Sequence, residues 1–223
     1  MATQRDFLKN AILERLEKKL VIYGFNLNKS LPGFRKKTVY GWQDFHLVFL
    51  IRHKGWEIKP GLLVRFNIIE DIYHQVSSFE KKYQKGTHTI GVSIEDLEKN
   101  EMKGRFDLYE ESQIDYVENK LFELFKSIAL PFFDMYSNIK AIDKVLNGNP
   151  ENTSLTGSIF KGTKSLIIAK LLEREDFAKL EQIYQTYYEN FANGFYLSEY
   201  SKLKDYLGHA PLGSVPDKAY SSD

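Results

Sequence analysis

Cysteine is absent from all 223 residues. That excludes a disulfide framework, cysteine-ligated zinc or iron–sulfur and a thiol nucleophile, and it agrees with a reducing compartment. Long apolar runs are absent too. None approaches the ~20 residues that span a bilayer, so no membrane partner is expected. Met1 to Lys19 is charged throughout and lacks the short apolar stretch ahead of small residues that marks a secretory signal. A cytoplasmic location is therefore expected, with the sequons Asn28-Lys29-Ser30 and Asn152-Thr153-Ser154 left unmodified. There is little net charge: 31 basic against 30 acidic residues leave +1, which argues against a dedicated nucleic-acid binder. No G-x-S-x-G elbow, no complete nucleotide motif and no internal repeat is present, so no cofactor is expected.

What is present is patterned. Leu8, Ile12, Leu16 and Leu20 recur every four residues, with Phe7 and Ala11 beside them, and predict an N-terminal amphipathic helix stopped near Gly24. Phe34 to Tyr40 is extended and basic. Beyond Gly41 two runs alternate with period two: Phe45, Leu47, Phe49 and Ile51 against His46, Val48, Leu50 and Arg52, then Leu62, Val64, Phe66 and Ile68 against Leu63, Arg65, Asn67 and Ile69. Such runs fit an antiparallel sheet covered chiefly on one side. Strands over Thr87 to Ile94 and Arg105 to Tyr109 complete about four to five. The second half is helical: Ile114, Val117, Leu121, Leu124 and Ile128 predict a helix ended by Pro131, and Ser137 is the expected N-cap of another. Further helices are expected near Lys164 to Glu173 and Asp176 to Phe191, the latter with a stripe of Phe177, Leu180, Tyr184, Tyr187 and Phe191. A last one carries Tyr200, Leu203 and Leu207. Strands first and helices after is the α+β pattern. The expected division is an α+β domain over 1–149, a helical extension over 150–207, packed on it or part of one domain, and a disordered tail over 208–223.

Charge is unevenly spread along the chain. Eight basic and two acidic residues lie between Asn26 and Arg65, and ten acidic and four basic between Ile94 and Glu123. The two segments either neutralise each other in the fold or leave a basic sheet surface for an acidic partner. The mixed strand face offers His46, Arg52, Arg65 and Asn67, with Trp42 at its rim. These five are the candidate binding residues, since arginine and tryptophan favour binding hot spots. Glu70, Asp71 and His74 form a second constellation. On a helix over 69–79, Glu70 and His74 would stand one turn apart, as in a metal site or a general-base dyad lacking its third ligand; the plainer reading is a surface helix with one such hydrogen bond. Gly157-Ser-Ile-Phe-Lys-Gly162-Thr163-Lys164-Ser165 approaches a phosphate-binding loop, but Thr163 displaces the lysine and no apolar strand delivers it. It reads as a linker in which Thr163 or Ser165 caps the next helix. Phe34, Lys36, Tyr40 and Trp42 alternate aromatic and basic, as single-strand platforms do.

Several short motifs resemble a group of uncharacterised bacterial proteins known as domains of unknown function. They are Gly24-Phe25 after the first helix, the basic strand Phe34-Arg35-Lys36-Lys37, and Leu130-Pro131-Phe132-Phe133 with Asp134 and Ser137 nearby. The resemblance spans roughly Gln4 to Leu146 and implies the same α+β arrangement, with no activity attached. The functional expectation is a non-catalytic module that binds a protein partner, as an immunity or accessory factor would. The alternatives are a metal-dependent hydrolase using Glu70, Asp71 and His74, and, third, a nucleic-acid binder.

Overall fold

The computed structural model describes residues 3–28, 31–99, 104–152 and 155–209. The second and third residues of both sequons and residues 210–223 of the expected tail lie outside them, while Gly208 and His209 close the last helix. The fold is α+β. The described residues group into two compact units, one within Met1–Val64 and Gly91–Asp134, the other within Arg65–Ile90 and Met135–Asp223. The division does not follow a cut at Pro150, because residues 65–90 and 135–149 belong with the C-terminal helices. No described helix is long and apolar enough to cross a membrane.

The first unit opens with α1 (Gln4–Leu20), started by a reciprocal capping box between Thr3 and Asp6 and ended near Gly24, whose φ of 83° is left-handed. Leu8, Ile12, Leu16 and Leu20 are buried as the spacing requires, joined by Leu13, whereas Phe7 is half exposed. The sheet follows, with strand order β1 (Asn26–Leu27), β2 (Gly33–Lys37), β3 (Gly41–Ile51), β4 (Trp56–Phe66) and β5 (Ile90–Ser93). Strand β6 (Phe106–Leu108) pairs antiparallel with the start of β4, setting Trp56 opposite Leu108. β4 begins at Trp56, six residues before the alternation becomes readable at Leu62, because Lys59 and Pro60 interrupt the apolar pattern. β5 is shorter than expected, since Ser93 caps α4 (Ile94–Glu98).

One sheet face carries Phe45, Leu47, Ile58, Leu62 and Val64, all fully buried. Phe45 meets Phe125 edge-on at 5.5 Å, Phe25 meets Phe125 at 5.1 Å, and Phe25 stacks on Phe133 at 5.3 Å. The Trp56 indole donates to the Arg5 carbonyl at 2.8 Å, tying α1 to the same face. Helix α5 (Ile114–Leu124) does not end at Pro131. It passes through a π-helical turn over Phe125–Ala129 into α6 (Leu130–Met135). The wider turn accommodates a proline that lacks an N–H, and it turns both Phe125 and Ala129 inward. α1 is paired to α5 by Arg15 with Asp115 and by Lys19 with Glu118 at 2.8 Å.

The second unit is built around α8 (Lys161–Leu171), which is buried from Lys161 through Ala169 on every side. Around it pack α2 (Asn67–Tyr73), α7 (Ile139–Asn147), α9 (Phe177–Asn190) and α10 (Leu197–His209), with the short α3 (Lys81–Gln84) completing the unit. α7 is capped by Asn138, not Ser137. The buried stripe of α9 is Leu180, Tyr184 and Tyr188, one position off the expected Tyr187 and Phe191. Gly162 decides this: a Cβ there would lie 2.6 Å from the Tyr188 ring and 2.9 Å from Tyr184, so only glycine lets these tyrosines close on α8. The Tyr188 hydroxyl then accepts from the Gly162 and Thr163 amides at 3.2 and 3.3 Å and donates to the Ile159 carbonyl at 2.7 Å. It caps α8 in place of Thr163 or Ser165, which both lie inside the helix.

Tyr188→Phe orphans two amides and a carbonyl in a dry site and should cost roughly 1–3 kcal/mol by urea denaturation. Tyr187→Phe, which removes one exposed hydrogen bond to the Ser158 carbonyl, should cost distinctly less. Equal losses would show that Tyr188 is not the cap.

Candidate functional site

The face of β3 opposite the aromatic core changes character along its length. Trp42 and Asp44 are buried, His46 is partly covered, Val48 is 39% exposed and Leu50 is half-buried. Arg52 follows in the hairpin and forms a two-pronged pair with Glu57 on β4, at 3.2 and 3.0 Å. That pairing sets Glu57, Lys59, Gly61 and Leu63 on the same side, all half-buried, while Ile58, Pro60 and Leu62 between them face the core. Lys59 reaches Glu95 at 3.0 Å, and Arg105 reaches it from the other side at 2.6 Å. The basic strand segment and the acidic one after β5 therefore meet, and partly neutralise each other, on this face.

Trp42 is no rim residue. Only 7% exposed, it lies under the Arg35 guanidinium, whose carbon is 3.7 Å from the ring centroid. Arg35 Nε also donates to Asp44 Oδ2 at 2.8 Å. Burial lifts the Asp44 carboxyl to about 6, against the pull of Arg35 and of a hydrogen bond from Asn28. Burial, helped by the Arg35 charge, holds His46 below its usual value. Its Nδ1 stands 3.9 Å from Asp44 Oδ1, too far for a hydrogen bond.

Arg65 and Asn67 belong to the second unit. Arg65 is 4% exposed, and its guanidinium is spent on internal partners. It donates to Asn67 Oδ1, the Gln84 carbonyl, and the carbonyl and hydroxyl of Thr87, each at 2.8 Å, and to Asp71 at 3.3 Å. Arg65 is thus a structural strut, and Asn67 is held by it. The single-strand platform does not form either: Phe34 is buried, and the Lys36 ammonium sits 5.8 Å from the Phe25 ring.

Glu70, Asp71 and His74 are brought close in the chain but not into one site. α2 ends at Tyr73, so His74 is its C-cap. Glu70 is fully buried, where its Oε1 meets Lys164 Nζ at 3.0 Å and accepts from the Thr89 hydroxyl at 3.0 Å. Burial opposes its charge most strongly, yet Lys164, a hydrogen bond from Thr87 and the Arg65 charge together hold it below the usual carboxylate value. Lys164 is pushed down by its own burial against the pull of Glu70, and its ammonium also donates to the His88 carbonyl. His74 Nδ1 bonds the Ser77 hydroxyl at 2.7 Å and Nε2 that of Thr87 at 2.9 Å, so both ring nitrogens are occupied. Asp71 faces solvent beside Arg65. Among the described residues no three His, Asp or Glu side chains gather as metal ligands would. The surface helix with one turn-spaced hydrogen bond is also not what forms, because Glu70 points inward to a lysine from the off-register glycine segment.

That lysine was the residue sequence reasoning missed. The segment from Leu155 to Leu171 holds three lysines, and only the enclosure of α8 shows that Lys164 needs a buried counter-charge. Val48 and Leu50 alternate with the core-facing residues of β3, and alternation alone does not show how far each is covered. The chain matches no protein-family profile, no curated protein and no solved structure, so the reading rests on its own geometry.

Removing either partner of the buried pair leaves an uncompensated charge. Glu70→Leu and Lys164→Met should each cost about 3–5 kcal/mol, and the double substitution much less than their sum. Additive losses in urea unfolding would show that the two groups do not act as a pair. Asp44 makes a separate forecast. Its folded pKa, near 6, exceeds the ordinary value of 3.8, so the folded state holds the proton more tightly than the unfolded chain. The contribution is complete below pH ~4 and is lost as pH rises through about 6, a swing of about 3 kcal/mol at 1.36 kcal/mol per unit. Asp44→Asn should lack this decline when stability is followed from pH 4 to 7, and the same slope in both proteins would assign it elsewhere.

Proposed function

We propose that the protein is a non-catalytic binding module for a protein partner, and that the half-exposed face of β3 and β4 is its recognition surface. The observation behind this reading is the exposed Val48 beside the half-buried Leu50 on a central strand. Apolar side chains there lie beside the internally paired Arg52–Glu57 and Lys59–Glu95–Arg105 groups. An apolar centre with a polar rim is the usual anatomy of a protein interface. Arg65 has no part in this surface, because it is buried in the second unit. Metal-dependent hydrolysis through Glu70, Asp71 and His74 finds no support, since Glu70 Oε1 is bonded to Lys164 and Thr89, both His74 nitrogens to Ser77 and Thr87, and Asp71 points to Arg65 instead of joining them.

The test compares wild type with Val48→Asp and Leu50→Asp in capture from native lysate, with circular dichroism to verify the fold. A stoichiometric protein partner should be retained by wild type and bound at least about tenfold more weakly by both variants, the scale of an interface hot spot. A partner held equally by all three proteins, or none held by wild type, would end the proposal.

A further inference from the structure

Helix α9 has a second face. While Leu180, Tyr184 and Tyr188 pack on α8, Ile183 and Tyr187 turn to a cleft of about 750 Å³ that lies wholly within the second unit. Phe191 and Lys161, the first residue of α8, are among its lining residues. We propose that this cleft binds a small carboxylate with an apolar body, the carboxylate on Lys161 and the body against Ile183, Tyr187 and Phe191.

Size comes first. A concavity of this volume falls in the range of small-molecule sites, about 300–1,000 Å³. Charge decides the sign of the ligand. Lys161 is only 9% exposed. Its Nζ donates one hydrogen bond, to the Glu151 main-chain carbonyl at 2.7 Å, and lies 4.9 Å from the Tyr187 ring centroid. No carboxylate of the described residues comes within 4.0 Å of it, and an ammonium has three donors to satisfy. Burial depresses its pKa, opposed by the charge of the Glu151 carboxylate. Lys179 adds a second positive charge at the rim, and Glu151 is the single acidic lining residue. The Lys161 ammonium lines the cleft with one protein acceptor, and an incoming carboxylate would give it a charge-assisted hydrogen bond. One buried cation matches a singly charged carboxylate.

The floor is pre-built. Tyr187 stacks on Phe191 at 5.2 Å with the rings 12° apart, and Phe191 on Tyr196 at 5.7 Å. With Lys161 and Phe191 beside it, Tyr187 offers its edge, so the ligand body packs against ring edges and Ile183. Immediately after Phe191 the backbone is left-handed at Ala192 and Asn193, φ 49° and 53°. Such conformations cost about 1 kcal/mol or more each and persist where the surroundings hold them, as at ligand clamps. The site is independent of the sheet face, so either proposal can fail alone.

The full chain is titrated calorimetrically with octanoate, 1-octanol and octylammonium. Octanoate should bind at least about tenfold more tightly than the alcohol, and octylammonium should bind most weakly. Lys161→Met should weaken octanoate about tenfold or more, the scale of a lost charge-assisted hydrogen bond, and leave the alcohol unchanged. Thr186→Glu places a carboxylate on the exposed cleft wall without touching the buried lysine, and should weaken octanoate alone even if the Lys161 variant folds poorly. No octanoate binding, equal binding of the three compounds, or octanoate affinity unchanged in the Thr186 variant would overturn the assignment.

Discussion

The second unit depends on one buried contact, Lys164 Nζ to Glu70 Oε1 at 3.0 Å. α8 is enclosed on all sides, and an ammonium in its middle is tolerable only beside a carboxylate that is itself hydrogen-bonded. The carboxylate comes from α2, on the segment between β4 and β5. Once Glu70 must reach Lys164, residues 65–90 have to fold with the C-terminal helices. Arg65, Thr87, Thr89 and His74 then complete a polar cluster whose members hold one another. Such a pair does little for net stability compared with an apolar replacement of equal volume. We read its contribution as specificity: it gives α2 and α8 one permitted docking, where sliding apolar surfaces would allow several.

The first unit is organised by shape. Its core is an aromatic cluster of Phe25, Phe45, Phe125 and Phe133, and the π-helical turn ahead of Pro131 aims two of these rings. The cluster seals one side of the sheet and leaves the other half open. At the start of β3 that other side is closed by Arg35 over Trp42, with Asp44 buried beneath it; toward the hairpin nothing among the described residues closes it to the same degree. The open region is therefore the length of strand past the reach of the Arg35 lid.

Much of this fold was legible in the sequence where periodicity carries the signal: α1 from its four-residue spacing, β3 from strict alternation, and the α+β order from strands preceding helices. Legibility failed where a distant partner decides the outcome. Whether Tyr187 or Tyr188 faces the core of α9 depends on Gly162 and not on α9 itself, since both tyrosines fit an amphipathic stripe. The glycine segment folds into α8 with Lys164 buried, but that lysine's partner is remote in sequence and local patterns do not reveal such pairs. Of the five candidate binding residues, Trp42 and Arg65 are buried, which period-two alternation alone does not reveal. Arginine attracts attention as a binding residue, yet Arg65 is the most thoroughly bonded group in its neighbourhood.

The fate of the charged residues bears on how the sheet face would recognise anything. Eight basic residues along Asn26 to Arg65 promised a positive surface, but Arg35 is spent on Asp44, Arg52 on Glu57, Lys59 on Glu95, and Arg65 on an interior cluster. A pair already made has little to offer an incoming carboxylate, because the new contact must first break the old one. Discrimination on this face therefore falls to Val48 and Leu50, and to how well a partner fits them. In the α9 cleft the logic is reversed. There the apolar floor is permissive, and under the assignment proposed above the Lys161 ammonium would select the ligand.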